Sequence, residues 1–127
     1  MLLRFRVTGV KTLYGAGIPL LAGTDLSFPY VLPGDLTKEL EHLVKARLPP
    51  DAALRPATIN AARYLGRDNE LGAVVKGKLA DLVLLDANPL EDIRNTTKVN
   101  AVITNGRLLD RKALDNLLAD VEAVVKK

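Results

Sequence analysis

Gly77-Lys78-Leu79-Ala80-Asp81-Leu82-Val83-Leu84-Leu85-Asp86 is the stretch on which the fold turns. Four apolar residues follow one another without a break and are bounded by a carboxylate on each side. A short apolar run framed by turn residues is the pattern of a strand buried on both faces. Residues 72–75 and 79–85 are therefore expected to be β-structure, joined through Lys76-Gly77-Lys78. Asp81 and Asp86 should terminate the buried strand. The Lys-Gly-Lys turn has phosphate-like chemistry, but no glycine-rich cradle precedes a helix there, so it reads as a β-turn. Downstream, residues 99–109 read as a hairpin, with Asn105-Gly106 supplying a type I′ turn.

Toward the N-terminus the period changes from strand-like to helical. Residues 6–15 predict a short helix with Val7, Val10, Leu13 and Tyr14 on one face, stopped by Gly15 and Gly17. Residues 18–22 predict a buried strand that delivers Asp25 at its C-terminal end. Residues 23–34 are a loop marked by Pro29, Pro33 and Gly34. Leu36, Leu40, Leu43 and Val44 then form one apolar helical stripe. Pro49-Pro50-Asp51 breaks that helix and caps the next, residues 52–58, whose last turn Pro56 should distort. Residues 61–65 add a further helical piece, closed by Gly66, with Asn60 as its expected cap. Residues 111–127 predict a final amphipathic helix, N-capped by Asp110 and striped by Leu114, Leu117, Leu118, Val121, Val124 and Val125.

Composition narrows the class. The 127 residues are the size of one ordinary domain, and 48% are hydrophobic, enough for a packed core. Aromatics are only 4% and Trp is absent, so that core must be built from Leu, Val, Ile and Ala. The net charge is +3, with basic residues scattered and no aromatic platform among them, which argues against nucleic acid. Cysteine is absent, which removes thiolate metal sites and suits a reducing cytoplasm. The first ten residues lack the apolar region and cleavage site of a signal peptide. No apolar run approaches the roughly 18 residues of a membrane span.

These pieces, taken in order, resemble the C-terminal portion of metal-dependent amidohydrolases, closest to the imidazolonepropionase-like and prolidase-like branch. The resemblance rests on Ala16-Gly17-Ile18-Pro19-Leu20-Leu21-Ala22-Gly23-Thr24-Asp25, on Lys38-Glu39-Leu40-Glu41, and on Ala57-Thr58-Ile59-Asn60-Ala61-Ala62-Arg63-Tyr64-Leu65-Gly66. It continues through residues 71–95 and closes with Val102-Ile103-Thr104-Asn105-Gly106-Arg107. It covers roughly three quarters of the chain in family order, and the ordered set, especially the run from Gly77 to Asp86, is specific.

The resemblance implies an α/β fold. Residues 1–70 would be the C-terminal fragment of a (β/α)8 barrel, with residues 18–25 as its last strand and the helices after it. Residues 71–110 would be the C-terminal half of a small β-sandwich, and residues 111–127 a helix packed outside. Met1 falls just before the last barrel helix, where no domain boundary is expected, which favours a truncated gene. The family hydrolyses amide-type C–N bonds, commonly with one or two zinc ions that lower the pKa of a bound water toward about 7. Ligands come from a His-x-His pair, a Lys or Glu, two further His, and the Asp of the last strand, which also accepts the proton of the attacking water. Asp25 matches that Asp in both roles, catalytic and metal-binding, with Gly23 and Thr24 shaping the strand end.

The other ligands have no match. The one histidine, His42, is expected on a solvated helix surface. One carboxylate does not hold a catalytic zinc, which takes about three protein ligands. The chain alone is therefore expected to bind no zinc and to be inactive. Thr37 stands where family members often carry a substrate-facing His, Arg47 where Gly is usual and Pro56 where Ala is usual. Asp35, Glu39 and Glu41 form an acidic group that a solvated helix N-terminus explains.

Two functional classes follow. In the first, the chain is part of a cytoplasmic amidohydrolase acting on a small amide or dipeptide, completed by an N-terminal chain. In the second, it is a non-catalytic structural or oligomerisation module. A lone strand and half a sandwich leave apolar faces and open edges, so a homo-oligomer, formed by strand exchange, or a complementary N-terminal chain is expected. Neither nucleic acid nor membrane is expected as a partner.

Overall fold

The computed structural model describes residues 2–24 and 36–125, and of residues 2–7 the backbone alone. The helices are α1 (Leu2–Gly15), α2 (Leu36–Lys45), α3 (Pro50–Leu54), α4 (Ile59–Tyr64) and α5 (Arg111–Val125). The strands are β1 (Leu82–Leu85), β2 (Val99–Thr104) and β3 (Arg107–Leu109). The expected helix near the N-terminus is present and starts four residues earlier than its periodicity suggests.

The core lies among the helices. Leu40 and Leu43 of α2 pack with Ala46, Leu48, Ala52, Ala53 and Ile93, all buried. Val10 of α1, Leu20 and Val44 lie against this cluster, half-buried. The predicted α2 stripe is therefore the core face, with Leu36 at its exposed end. Pro50 occupies the first turn of α3, where its missing N–H costs nothing. Pro56 is fully buried, and the chain tightens around it into a 3-10 turn, Arg55–Ala57, as a proline without a donor requires.

Three helices end in the same way. The residue after each cap has positive φ: Gly17 (74°), Arg47 (73°) and Gly66 (67°). Behind Arg47, its N–H donates to Val44 O (2.9 Å) and Leu48 N–H donates to Leu43 O (3.2 Å). The same pair of bonds recurs behind Gly17 and Gly66. This is the Schellman arrangement, which satisfies two orphan carbonyls and turns the chain sharply. At α2 its accompanying apolar contact is Leu43 with Leu48, both in the core.

The sheet is antiparallel, in the order β1-β2-β3. Leu82 pairs with Ile103 and Leu84 with Ala101, and a register shift falls between Leu84 and Leu85. Thr104 pairs with Arg107 across Asn105 (φ 48°) and Gly106 (φ 75°), the expected hairpin turn. Asp81 Oδ1 accepts from Asn105 N–H (2.6 Å), and Asp86 Oδ1 accepts from Asn100 Nδ2 (2.7 Å). The two carboxylates thus tie the ends of β1 to the hairpin.

Two β expectations are corrected. Residues 72–75 are not a strand: they run into a turn closed by Lys78 N–H on Val75 O (3.2 Å), with Gly77 at φ 95°. The β-turn at Lys76-Gly77-Lys78 stands. Lys78 Nζ holds this segment by donating to the carbonyls of Asp68 and Leu71. Secondly, β1 is not buried on both faces. Val83 and Leu84 point to opposite sides of the sheet and both are exposed. Burial on both faces needs a second layer on each, and the described residues leave Val83 and Leu84 uncovered.

One apolar side chain joins sheet and helices. Ile93, in the 3-10 turn Ile93–Thr97 that precedes β2, inserts into the helical core. Beside it the buried Asn95 donates through Nδ2 to Asn88 O (2.8 Å). Helix α5 follows β3 with Asp110 as its cap, Oδ1 accepting from Ala113 N–H (2.8 Å). Arg111 Nη1 fastens the helix to Val99 O on β2 (2.9 Å). Only its beginning packs: Ala113 and Leu114 are half-buried, and the rest of the predicted stripe is exposed. Among the described residues no helix is long and apolar enough to cross a membrane.

Candidate functional site

Residues 18–24 leave the Schellman turn of α1 as extended chain. Leu20, Ala22 and Thr24 are half-buried while Leu21 and Gly23 are exposed, the alternation of a strand. They are nevertheless not a strand, which corrects the expectation of a buried one. Ile18 and Leu21 are 48% and 47% exposed, and no neighbouring strand among the described residues pairs with them. A strand is defined by its ladder, and here helices take that place. Ala22 N–H donates to Pro56 O (3.2 Å), and Asn60 Nδ2 donates to Leu20 O (3.0 Å).

Asn60 is thus not the helix cap that its position suggests. It lies inside α4, whose cap position is Thr58, and no side chain caps that end. Thr58 Oγ1 turns back to Leu54 O instead (2.9 Å). The Asn60 amide is committed to the segment that leads toward Asp25.

Asp25, the predicted catalytic and metal-binding residue, lies outside the described residues, as do the rest of the loop that follows it and Asp35. Of the other candidates, His42 is exposed on α2, as expected, and Thr37 is half-buried on its first turn. Glu41 pairs with Lys45 one turn on (3.6 Å), a surface contact. Among the described residues no three His, Asp or Glu side chains converge. They do not by themselves fit a zinc ion, which takes about three protein ligands.

An open cleft of about 190 Å³ adjoins the extended segment, between the end of α1 and α3. Tyr14, Pro19, Leu48, Ala52, Arg55 and Asn60 line it. Its volume falls below the roughly 300 Å³ at which pockets for ordinary organic ligands begin. A second hollow of about 250 Å³ lies under the turn at residues 73–80 and is lined by Val74, Lys76 and Leu79. The strongly shifted carboxylate is elsewhere. Asp92 is held down to about 2 by the Arg94 side chain and then by the Arg94 backbone N–H, both of which it accepts from. Its role is to cap the Ile93–Thr97 turn. Neither sequence pattern nor composition singled out this pair.

Comparison with known proteins gives these elements a context. The model of the amidohydrolase family matches residues 3–109. An imidazolonepropionase from Shouchella clausii is 32% identical over 96 residues, which are 74% of this chain and 21% of that protein. Adenine deaminase 2 from Rhizobium meliloti is 42% identical over 88 residues, 68% of this chain and 14% of that protein. Among solved structures, one described as a prolidase from Bifidobacterium longum superposes with a TM-score of 0.76 at 36% identity. That match covers 90% of this chain and 30% of the other. A Xaa-Pro dipeptidase with methionine in its active site gives 0.75 at 32% identity, over 82% of this chain and 25% of the other. The chain therefore spans between a seventh and a third of the length of these relatives.

Proposed function

The chain belongs to the amidohydrolase family, and on that premise we propose that it supplies the last-strand end of a hydrolase acting on C–N bonds. In the complete hydrolase the extended residues 18–25 would pair as the last barrel strand, and residues 71–110 would form half of a small β-sandwich. Asp25 would be one of the residues that hold a zinc ion in the complete enzyme, and its carboxylate would accept a proton there. The substrate is a small amide or dipeptide.

One observation carries the reading: the family match spans residues 3–109, a range that includes the Asp25 segment. The strand-like alternation of residues 20–24, with no ladder partner among the described residues, agrees with it. So does the exposure of β1 on both faces. The single histidine of the sequence leaves the His-x-His pair to another polypeptide segment, and the partner is accordingly a complementary N-terminal region. By itself the chain is inactive.

A chimera tests this. Residues 1–127 replace the matching portion of the Bifidobacterium longum relative, and hydrolysis of a dipeptide is measured. The chimera is expected to fold and turn over, and its Asp25→Asn form to lose roughly 100-fold or more in kcat, the usual scale for a group that acts in the transition state. Full activity of the Asp25→Asn chimera would remove Asp25 from the site. Zinc-dependent turnover by the chain alone would show that the missing histidines are not needed.

A further inference from the structure

We propose that Asn105 is a self-modification site, where the turn between β2 and β3 converts its own asparagine to aspartate and isoaspartate, gated by Asp81. The chain has seven asparagines, and only Asn105 is followed by glycine. That neighbour matters because the next backbone nitrogen attacks the side-chain carbonyl, and a Cβ on the next residue would obstruct it. The Gly106 nitrogen bonds to Asn105 Cγ and the Cγ–Nδ2 bond breaks. Nδ2 leaves as ammonia, taking the proton of the Gly106 N–H. Water then opens the five-membered imide. Opening at Cγ gives aspartate. Opening at the backbone carbonyl carbon gives isoaspartate, with the chain running through Cβ and Cγ. Water is the only co-reactant.

The turn geometry sets when that ring can close. Asn105 at φ 48° and Gly106 at φ 75° form a type I′ turn, whose first central residue has ψ of about +30°. At that angle Asn105 Cβ lies nearly opposite the Gly106 nitrogen, and the ring is out of reach. Rotating the single peptide plane between the two residues brings them to the same side. The rotation converts the turn to type II′, the other hairpin turn, with Asn105 φ unchanged. Gly106 takes its new φ without a clash, and a Cβ there would meet nothing within 4 Å, so the plane has room. One bond opposes the rotation directly. Gly106 N–H donates to Ala80 O at 3.5 Å, long for such a bond, and must let go. Next to Ala80, Asp81 Oδ1 accepts from Asn105 N–H (2.6 Å) and keeps the turn against that carbonyl. The product then undoes the tie. Isoaspartate adds one backbone atom to a two-residue loop whose length fixes the Thr104–Arg107 pair. Either product sets a new carboxylate beside Asp81, like charge on like. Strand β3 has three residues, of which Arg107 and Leu108 are exposed, so little else holds it.

Incubation of the full folded chain at mildly alkaline pH tests the site, with peptides mapped by mass spectrometry and isoaspartate resolved from aspartate. Asn105 should convert ahead of every other asparagine. Asp81→Ala should speed the conversion roughly 5-fold, the scale of one weak hydrogen bond, and should leave the rate in urea unchanged. Asp81→Asn keeps an acceptor and should stay near the wild-type rate, which guards against a variant that merely unfolds. The isolated isoaspartate form should lose amide protection across residues 107–109. Asn105→Asp, with the charge but not the extra atom, should retain more of it. An Asn105 that stays intact in the folded chain while other asparagines convert would overturn the site. Equal folded-state rates for wild type and Asp81→Ala would overturn the gate, and unchanged protection in the isoaspartate form would overturn its effect on the sheet.

Discussion

Asn60 Nδ2 donates to the carbonyl of Leu20 at 3.0 Å, across 40 residues of sequence, and so holds the extended segment before Asp25 onto α4. The bond is part-buried and reaches a backbone atom. It therefore sets the path of residues 18–24 without depending on which side chains they carry.

Asn60→Ala should cost about 1 kcal/mol in urea unfolding, the net worth of one such bond. Asn60→Asp should cost more at neutral pH, because a carboxylate cannot donate and would face the Leu20 carbonyl. Amide exchange across residues 20–22 should accelerate in both variants. Unchanged exchange there would show that the Pro56 carbonyl alone holds the segment.

Gly72 and Gly66 both have positive φ but differ in their surroundings. A Cβ on Gly72 would meet Ala62 Cβ and Ile59 Cα at 2.8 Å, whereas one on Gly66 meets nothing within 4 Å. Gly66→Ala should cost only the left-handed backbone penalty, about 1 kcal/mol. Gly72→Ala adds overpacking against the backbone of α4 and should cost about 3 kcal/mol or more. Equal midpoints for the two variants in chemical denaturation would contradict the close approach of Gly72 to α4.

Arg47 is the one Schellman residue of the three that is not glycine, and it holds φ at 73°. Arg47→Gly should raise stability by about 1 kcal/mol, as the strain of a left-handed side chain is relieved. The Leu43 and Leu48 contact should be unaffected. A destabilised variant would mean that the arginine side chain contributes more than its backbone strain costs.

Asp92 provides a pH dependence. Its carboxyl lies near 2 rather than the ordinary 3.8, chiefly through the Arg94 side chain and then the Arg94 N–H. The folded value is depressed, so the cap is at full strength above about pH 4 and is lost as pH falls toward 2. In Asp92→Asn the part of the stability loss that falls in this window should disappear. Carboxyl chemical shifts that place the Asp92 midpoint near 3.8 would show that the pair does not persist in solution.

Legibility followed the range of the interaction. Local patterns were readable: the α2 stripe ending in the core, Pro56 tightening its turn, the Asn105-Gly106 hairpin and the Asp110 cap. Each depends on residues within about one turn of one another. The misreadings all involve distant partners. Residues 18–22 have strand composition, yet their hydrogen bonds go to Pro56 and Asn60. Val74 and Val75 are apolar and β-branched, but Gly72 must sit against α4 and Gly77 must turn, and this bends residues 72–75 out of a ladder. Asn60 has the right residue type for a cap, and its amide is taken by a carbonyl 40 positions away.

The sequence by itself determined the family, through motifs whose order survives without any knowledge of contacts, and with it the identity of Asp25 as the residue to test. It also determined the helix stops at Gly17 and Gly66 and the start at Asp110, because each of these is written in a single residue. Only the tertiary structure decided which apolar faces are covered. Leu40, Leu43 and Ile93 are buried together, while the equally apolar Val83, Leu84 and most of the α5 stripe are left in contact with water. Hydrophobic burial has no direction and little sequence locality. A run of leucines states that a surface must be covered, and the packing of distant segments states by what.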